Sequence, residues 1–226
     1  MESLPDLHAM ALRAMRTHGL EPDMASAALR EAHTASQPAP PFDNRDIRDL
    51  RGLAWFSIDN DDTQDLDQLS VADSLPGGAT RLRVAVADVD ALAPQGGAID
   101  AHAAFNTTSV YTAAGTFPML PLVLSNDRTS LQEGQERLAV VVEMRVDGDG
   151  TISRHQLYRA AVANQAKLTY DGVSRWLDGG EPPPLLAALP HVQAQLRLHD
   201  DLATRRAKQS RHTLRRPSPQ VDPAPE

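Results

Sequence analysis

SIDNDDTQDLDQL, residues 57–69, crowds five aspartates into nine positions directly after the apolar run AWFSI at residues 54–58. The apolar run reads as a strand, and like charges packed at its end repel one another until something neutralises them. Hard oxygen ligands suit Mg²⁺ or Mn²⁺, which keep several waters and take one or two carboxylates each plus the phosphate oxygens of a substrate. A pair of such cations suits phosphodiester hydrolysis. A solvated acidic turn and a calcium loop are the competing readings, and acidity alone does not choose among them. The calcium pattern D-x-[DN]-x-[DN]-G, with glutamate at position twelve, is begun loosely by Asp59, Asp61 and Thr63. It then fails on its own spacing, with Gln64 where the glycine belongs and Ser70 at position twelve.

Outward from this segment the pattern stays β-like. Leu82, Val84 and Val86 alternate in TRLRVAVAD, LAVVVEMRVD follows, and the turn Asp147-Gly148-Asp149-Gly150 joins that run to a further strand near residues 151–161 in a hairpin. Helical periodicity interrupts at residues 99–105, 170–177 and 185–211, so the mixture predicts an α+β domain in preference to a doubly wound parallel sheet. Before it, Leu4, Leu7, Met10 or Ala11, and Met15 recur at helical spacing up to a glycine stop at Gly19, and a second short helix is expected at residues 23–33. TASQPAPP at residues 34–41 reads as a linker. The predicted organisation is therefore a helical appendage and linker over residues 1–41, packed on the main domain, a catalytic domain over 42–211, and a proline-rich disordered tail over 212–226.

Composition bounds the chemistry. The 226 residues, 41% apolar and 23% charged, suffice for one sizeable domain, and no stretch approaches the roughly 20 apolar residues of a membrane span. MESLPDLHAM lacks the pattern of a signal peptide, so the expected compartment is the cytoplasm. With no cysteine, any metal must be held by oxygen or imidazole, and the eight histidines show no ligand spacing. A net charge of −8 argues against a protein that coats nucleic acid. It does not exclude a nuclease, because bound cations reverse the local sign. Gly-rich phosphate loops and G-x-S-x-G elbows are absent from the sequence.

The acidic segment also resembles the signature of ribonuclease II / ribonuclease R (RNB) exoribonucleases. VAVADVDALAPQGGAID, NTTSVYTAAGTFPMLPLVLSNDRTSL, RLAVVVEMRVDGDG and NQAKLTYDGVSRWL follow in that family's order, so the resemblance covers about residues 45–210. It implies an RNB-type catalytic domain, a mixed or antiparallel sheet with flanking helices, that hydrolyses single-stranded RNA 3′→5′ to 5′-monophosphates with Mg²⁺ or Mn²⁺. It also implies that Asp59, Asp65 and Asp67 are catalytic and metal-binding, with Asp67 foremost, and that Tyr111 stacks on a nucleotide near the 3′ end. Gln68 stands where many members have a fourth aspartate. A neutral oxygen there can still ligate but holds a second metal less strongly.

Asp61 and Asp62 match no catalytic role. Asp88 could support the site from behind or cap a strand end, and PMLP, residues 118–121, would shape the channel. The family's second half, with its phosphate-clamping arginine, is not matched. The expectation is accordingly an incomplete catalytic domain of weak or no activity, or alternatively a non-catalytic RNA-binding pseudoenzyme fragment. Seven Lys and Arg residues at positions 197–216 could add RNA affinity or simply form a solvated helix face.

Overall fold

The computed structural model describes residues 6–35 and 46–213. Nine strands lie in chain order: β1 (Ile47–Asp49), β2 (Phe56–Asp59), β3 (Gln68–Ser74), β4 (Thr80–Ala87), β5 (Val110–Thr112), β6 (Gly115–Phe117), β7 (Glu136–Val146), β8 (Ile152–Ala163) and β9 (Ala166–Thr169). Seven form one mixed sheet in the order β1-β8-β7-β4-β3-β2-β9, and β5 and β6 make a separate hairpin. The interior pairs are antiparallel, but β1 runs parallel to β8 and β2 parallel to β9. The α+β class and the mixed sheet agree with the sequence.

Strand alternation sends side chains to two faces. On one face Trp55, Leu69, Val71, Ala85, Val141 and Val162 form a core cluster, in which the fully buried Trp55 donates its indole N–H to the Leu50 carbonyl at 2.8 Å. Each large side chain buried this way contributes about 1.5–3 kcal/mol. On the other face Phe56 and Leu168 pack under α4 (Tyr170–Leu177), α5 (Pro184–Ala187) and α6 (Pro190–Thr213), with Trp176, Leu186, Val192 and Leu196. Further along the same face Ala72 and Val146 meet Leu202 of α6. The β7–β8 hairpin turns through Gly150 at φ 92°, a left-handed conformation, and a Cβ there would lie 3.0 Å from the Arg205 carbonyl oxygen.

The elements differ in detail from the sequence reading. The helix expected over 185–211 is two helices, because Pro190 cannot extend α5 but suits the first position of α6. The expected 23–33 helix starts later, as α2 (Ser26–Thr34), and β1, β3, β5, β6 and β9 are strands where the sequence pattern predicts none. Helix α1 (Leu7–Thr17) is capped by the Asp6 carboxylate, which accepts from Ala9 N–H at 3.1 Å, and stops before Gly19 at φ 74°. Helix α2 packs on α3 (Ala98–Asn106), and Glu31 reaches across to accept from the Ala98 N–H at 2.6 Å, supplying the cap that Gly97 lacks. Most of the predicted linker and the tail from residue 214 lie outside the described residues. No helix among the described residues is long and apolar enough to cross a membrane.

Candidate active site

The alternation of β2 decides where the acidic segment begins. Phe56 and Ile58 point into the core under the helices, so Ser57 and Asp59 point to the opposite face. The parallel register sets Ser57 beside Lys167 and Asp59 beside Thr169. Lys167 donates its ammonium to the carbonyl oxygens of Asp61 (3.1 Å) and Thr63 (2.7 Å). From the other side the Ser130 hydroxyl donates to the Gln64 carbonyl at 2.7 Å and accepts the Leu66 N–H at 3.1 Å, while Ala87 N–H donates to the Asp67 carbonyl at 2.9 Å. Held by its backbone at these points, the segment keeps Asp65 and Asp67 exposed close to Asp59 despite their mutual repulsion.

That repulsion is visible in the protonation of Asp59. Burial, and then the neighbouring charges of Asp67 and Asp65, push its carboxyl above the usual range, against the opposing Ser57 hydroxyl and Lys167. Asp59 Oδ2 is buried with no hydrogen-bond partner. Such an atom costs free energy as it stands and would be satisfied by a cation. The surrounding donors are hard oxygens, the set that Mg²⁺ or Mn²⁺ takes, so the residues fit the metal in chemistry. Among the described residues, however, no three carboxylate or imidazole side chains already converge as a ready-made metal-binding group.

In front of the aspartates lies a cavity of about 800 Å³ lined by Asp65, Asp67, Tyr111, Met119, Leu120 and Asn126, among others. Tyr111, on β5, is 68% exposed, so it is not a core tyrosine. Its hydroxyl donates to Asp65 Oδ2 at 3.3 Å. Its own ionisation is pushed up by burial of the hydroxyl and by the Asp65 charge. Pro118, Met119 and Leu120 of the PMLP turn line the same wall.

The structure thus brings Asp65, Asp67 and Tyr111 together on the cavity wall, keeps Asp59 within reach of the Asp67 and Asp65 charges though outside the lining, and sets Gln68 apart. Gln68 is the exposed first residue of β3, opposite Val86, and does not line the cavity. Asp88 clamps a strand end: its backbone N–H donates to the Leu138 carbonyl at 3.1 Å and its buried carboxylate meets Arg159 at 2.9 Å. Three of the basic residues near α6 serve the fold, with Arg197 over the Trp176 ring at 4.5 Å and Arg205 and Arg206 donating to the carbonyls of Gly78 and Gly150. Sequence reasoning missed Lys167 and Ser130. Nothing in their local sequence signals the role, because each acts through pairings more than 60 residues away in the chain.

Comparison with known proteins bears on this geometry. The RNB domain family model matches residues 47–223. Ribonuclease R of Thermotoga maritima is 35% identical over 150 residues, covering 66% of this chain and 21% of that protein. Exoribonuclease 2 of Cronobacter sakazakii is 35% identical over 175 residues, covering 76% and 27% respectively. The structure of Mycoplasma genitalium RNase R in complex with ribose-methylated single-stranded RNA superposes with a TM-score of 0.81 at 26% identity, over 90% of this chain and 31% of that one. The chain spans between 21% and 46% of the length of such curated relatives.

Proposed function

We propose, from the premise that this chain belongs to the RNB domain family, that it carries the metal-dependent site of an exoribonuclease hydrolysing single-stranded RNA 3′→5′ to 5′-monophosphates. The observation that carries this reading is the unpartnered, buried Oδ2 of Asp59, near Asp65 and Asp67, which themselves line a cavity large enough for a nucleotide. Asp59, Asp65 and Asp67 would hold Mg²⁺ or Mn²⁺. When bound, such ions would supply an activated water and stabilisation of charge on the leaving oxygen. Lys167 and Ser130 would keep the acidic backbone in place, and the exposed Tyr111 ring would take the face of a terminal base. The Tyr111 hydroxyl on Asp65 would orient that carboxylate.

A second reading, an RNA-binding protein without turnover, is favoured by one observation: Gln68 sits off the cavity where many members of the family place a further aspartate. One pair of measurements separates them. Titration calorimetry with Mn²⁺ should show binding that Asp65→Asn with Asp67→Asn abolishes, and labelled single-stranded RNA should be shortened only when Mg²⁺ is present. Mn²⁺ binding equal in the double variant would sink the metal site. RNA binding with no shortening at any Mg²⁺ concentration, together with no Mn²⁺ binding at the aspartates, would establish the second reading, whereas Mn²⁺ binding with weak or no shortening fits an incomplete catalytic domain.

A further inference from the structure

The opposite end of the same sheet carries a ladder of arginines. Cross-strand register puts Arg81 of β4 opposite Arg145 of β7, and Arg145 opposite Arg154 of β8. They share the alternation of Ala85, Val141 and Ala160, so all three side chains leave the sheet on the core-cluster face, beyond the edge of that cluster. Like charges directly opposite on neighbouring strands are destabilising, so folding alone gives no reason for three in a row.

The nearby carboxylates do not close the ladder. Glu143 already accepts from Arg83 (2.7 Å), Tyr158 (2.8 Å) and Gln156 (2.9 Å), which leaves Arg81 at 3.7 Å. Asp73 accepts from Arg83 at 2.6 Å, and Asp147 engages only the Nε of Arg145, at 2.9 Å. The Arg154 side chain has no hydrogen-bond or ion-pair partner among the described residues. Together with Glu143, His155 and Gln156 the three arginines line a cavity of about 380 Å³. A chain with a net charge of −8 therefore holds a local excess of cations with unused N–H donors.

We propose that the Arg81–Arg145–Arg154 ladder is a second RNA contact, one that grips the phosphodiester backbone of single-stranded RNA away from the acidic site. Guanidinium forks match phosphate oxygens in geometry and stay charged when partly dehydrated. No Phe, Tyr or Trp is among the residues that line the cavity, and His155 is its one ring, so the guanidinium grip is on the backbone and carries no base readout of its own. Ala87 at the acidic end and Arg81 at the basic end are six residues apart on β4, or about 20 Å along the strand, so both sites can engage one extended strand. The inference rests on the reading of RNA as the substrate.

The test uses the whole chain in EDTA, which prevents hydrolysis, and fluorescence anisotropy of a labelled single-stranded oligoribonucleotide over a KCl series. For every phosphate that is no longer neutralised, the dependence of log affinity on log salt should become shallower by about 0.7 for a single strand. Arg154→Gln, which breaks no hydrogen bond or ion pair inside the protein, should show that change, and Arg81→Gln with Arg154→Gln about twice it. Arg154→Lys, keeping the charge, should restore most of the slope. A slope unchanged in the double variant would overturn the ladder and leave the acidic site untouched. No RNA binding by the unaltered chain would overturn both readings. Binding of poly-glutamate that the double variant loses, with RNA binding unaffected, would instead identify an acidic protein as the partner and refute the proposal.

Discussion

At the end of the sheet where β2 stops, Asp59 feels the charges of Asp67 and Asp65, while Lys167 is engaged with backbone carbonyls and Asp59 Oδ2 has no partner. At the other end Arg83 is the more deeply buried residue, and it bonds Asp73 at 2.6 Å and Glu143 at 2.7 Å. One ionic group is closed by the protein's own counter-charges, and the other keeps a buried oxygen without a partner. The contrast teaches that charge in this fold has two uses: a closed network specifies packing, and an open cluster keeps an unfavourable state that a proton or a bound cation relieves.

The largest expected effect tests the open end. Asp67→Asn should lower the rate of RNA shortening by about 10²–10³, the scale of losing one group that stabilises developing charge, while leaving RNA affinity within a few-fold. Single-turnover kinetics beside anisotropy would check it, and a parallel fall in both would place Asp67 in binding.

Glu143→Gln tests the closed end. Burial pushes Glu143 up, but its donors Tyr158, Arg83 and Gln156 outweigh that and hold it below its ordinary value of 4.5. A carboxylate lowered in this way contributes stability above its unfolded pKa, and the contribution is lost as pH falls through the folded pKa. The substitution should cost about 2–3 kcal/mol in urea unfolding at pH 7, because it weakens a buried pair, and the difference should shrink below pH 4.5. A cost independent of pH would mean that packing, not charge, closes this end.

Tyr111→Ala should weaken RNA binding by about 1–3 kcal/mol or change the length of the final product, whereas Tyr111→Phe should keep the stacking face. The hydrogen bond to Asp65 gives Phe a second readout, a small change in Mn²⁺ affinity with RNA affinity constant. If Ala lowered thermal stability alone, Tyr111 would belong to the fold.

The smallest effect concerns Asp59 without metal. A carboxyl raised by burial stabilises the fold below its unfolded pKa, and that contribution is lost as pH rises through the folded pKa. Asp59→Asn in EDTA should therefore raise the melting temperature at pH 7 and leave it nearly unchanged at pH 4. In Mn²⁺ the ranking should reverse, since the unaltered chain gains a ligand that the variant cannot hold.

Local chemistry was readable from the sequence and pairing was not. Residues 170–177 fall in α4 as expected, because Thr169 caps the helix and the apolar spacing of Val173 and Trp176 is local. The β7–β8 hairpin was legible from its Asp-Gly turn for the same reason. Strand β3 was hidden by its small and polar residues, whose burial depends on β4 on one side and Gln195 of α6 on the other. The aspartates and Tyr111 could be named from their motifs, but the separation of Gln68 and the tethers of Lys167 and Ser130 arise only once β2 finds β9.

The β2–β9 register joins Asp59 to Thr169, about 110 residues later in the chain. At a synthesis rate of roughly 5–20 residues per second, the acidic segment waits about 5–20 s on the ribosome before its parallel partner exists. During that interval nothing ties Asp61 and Thr63 to Lys167, so mutual repulsion favours an extended, hydrated segment whose carboxylates are not yet held in place. Parallel closure across so long a loop is slow, and the capacity to hold metal therefore arrives late in folding, after the β3-β4 and β7-β8 pairings, whose partners lie close along the chain, have formed the frame.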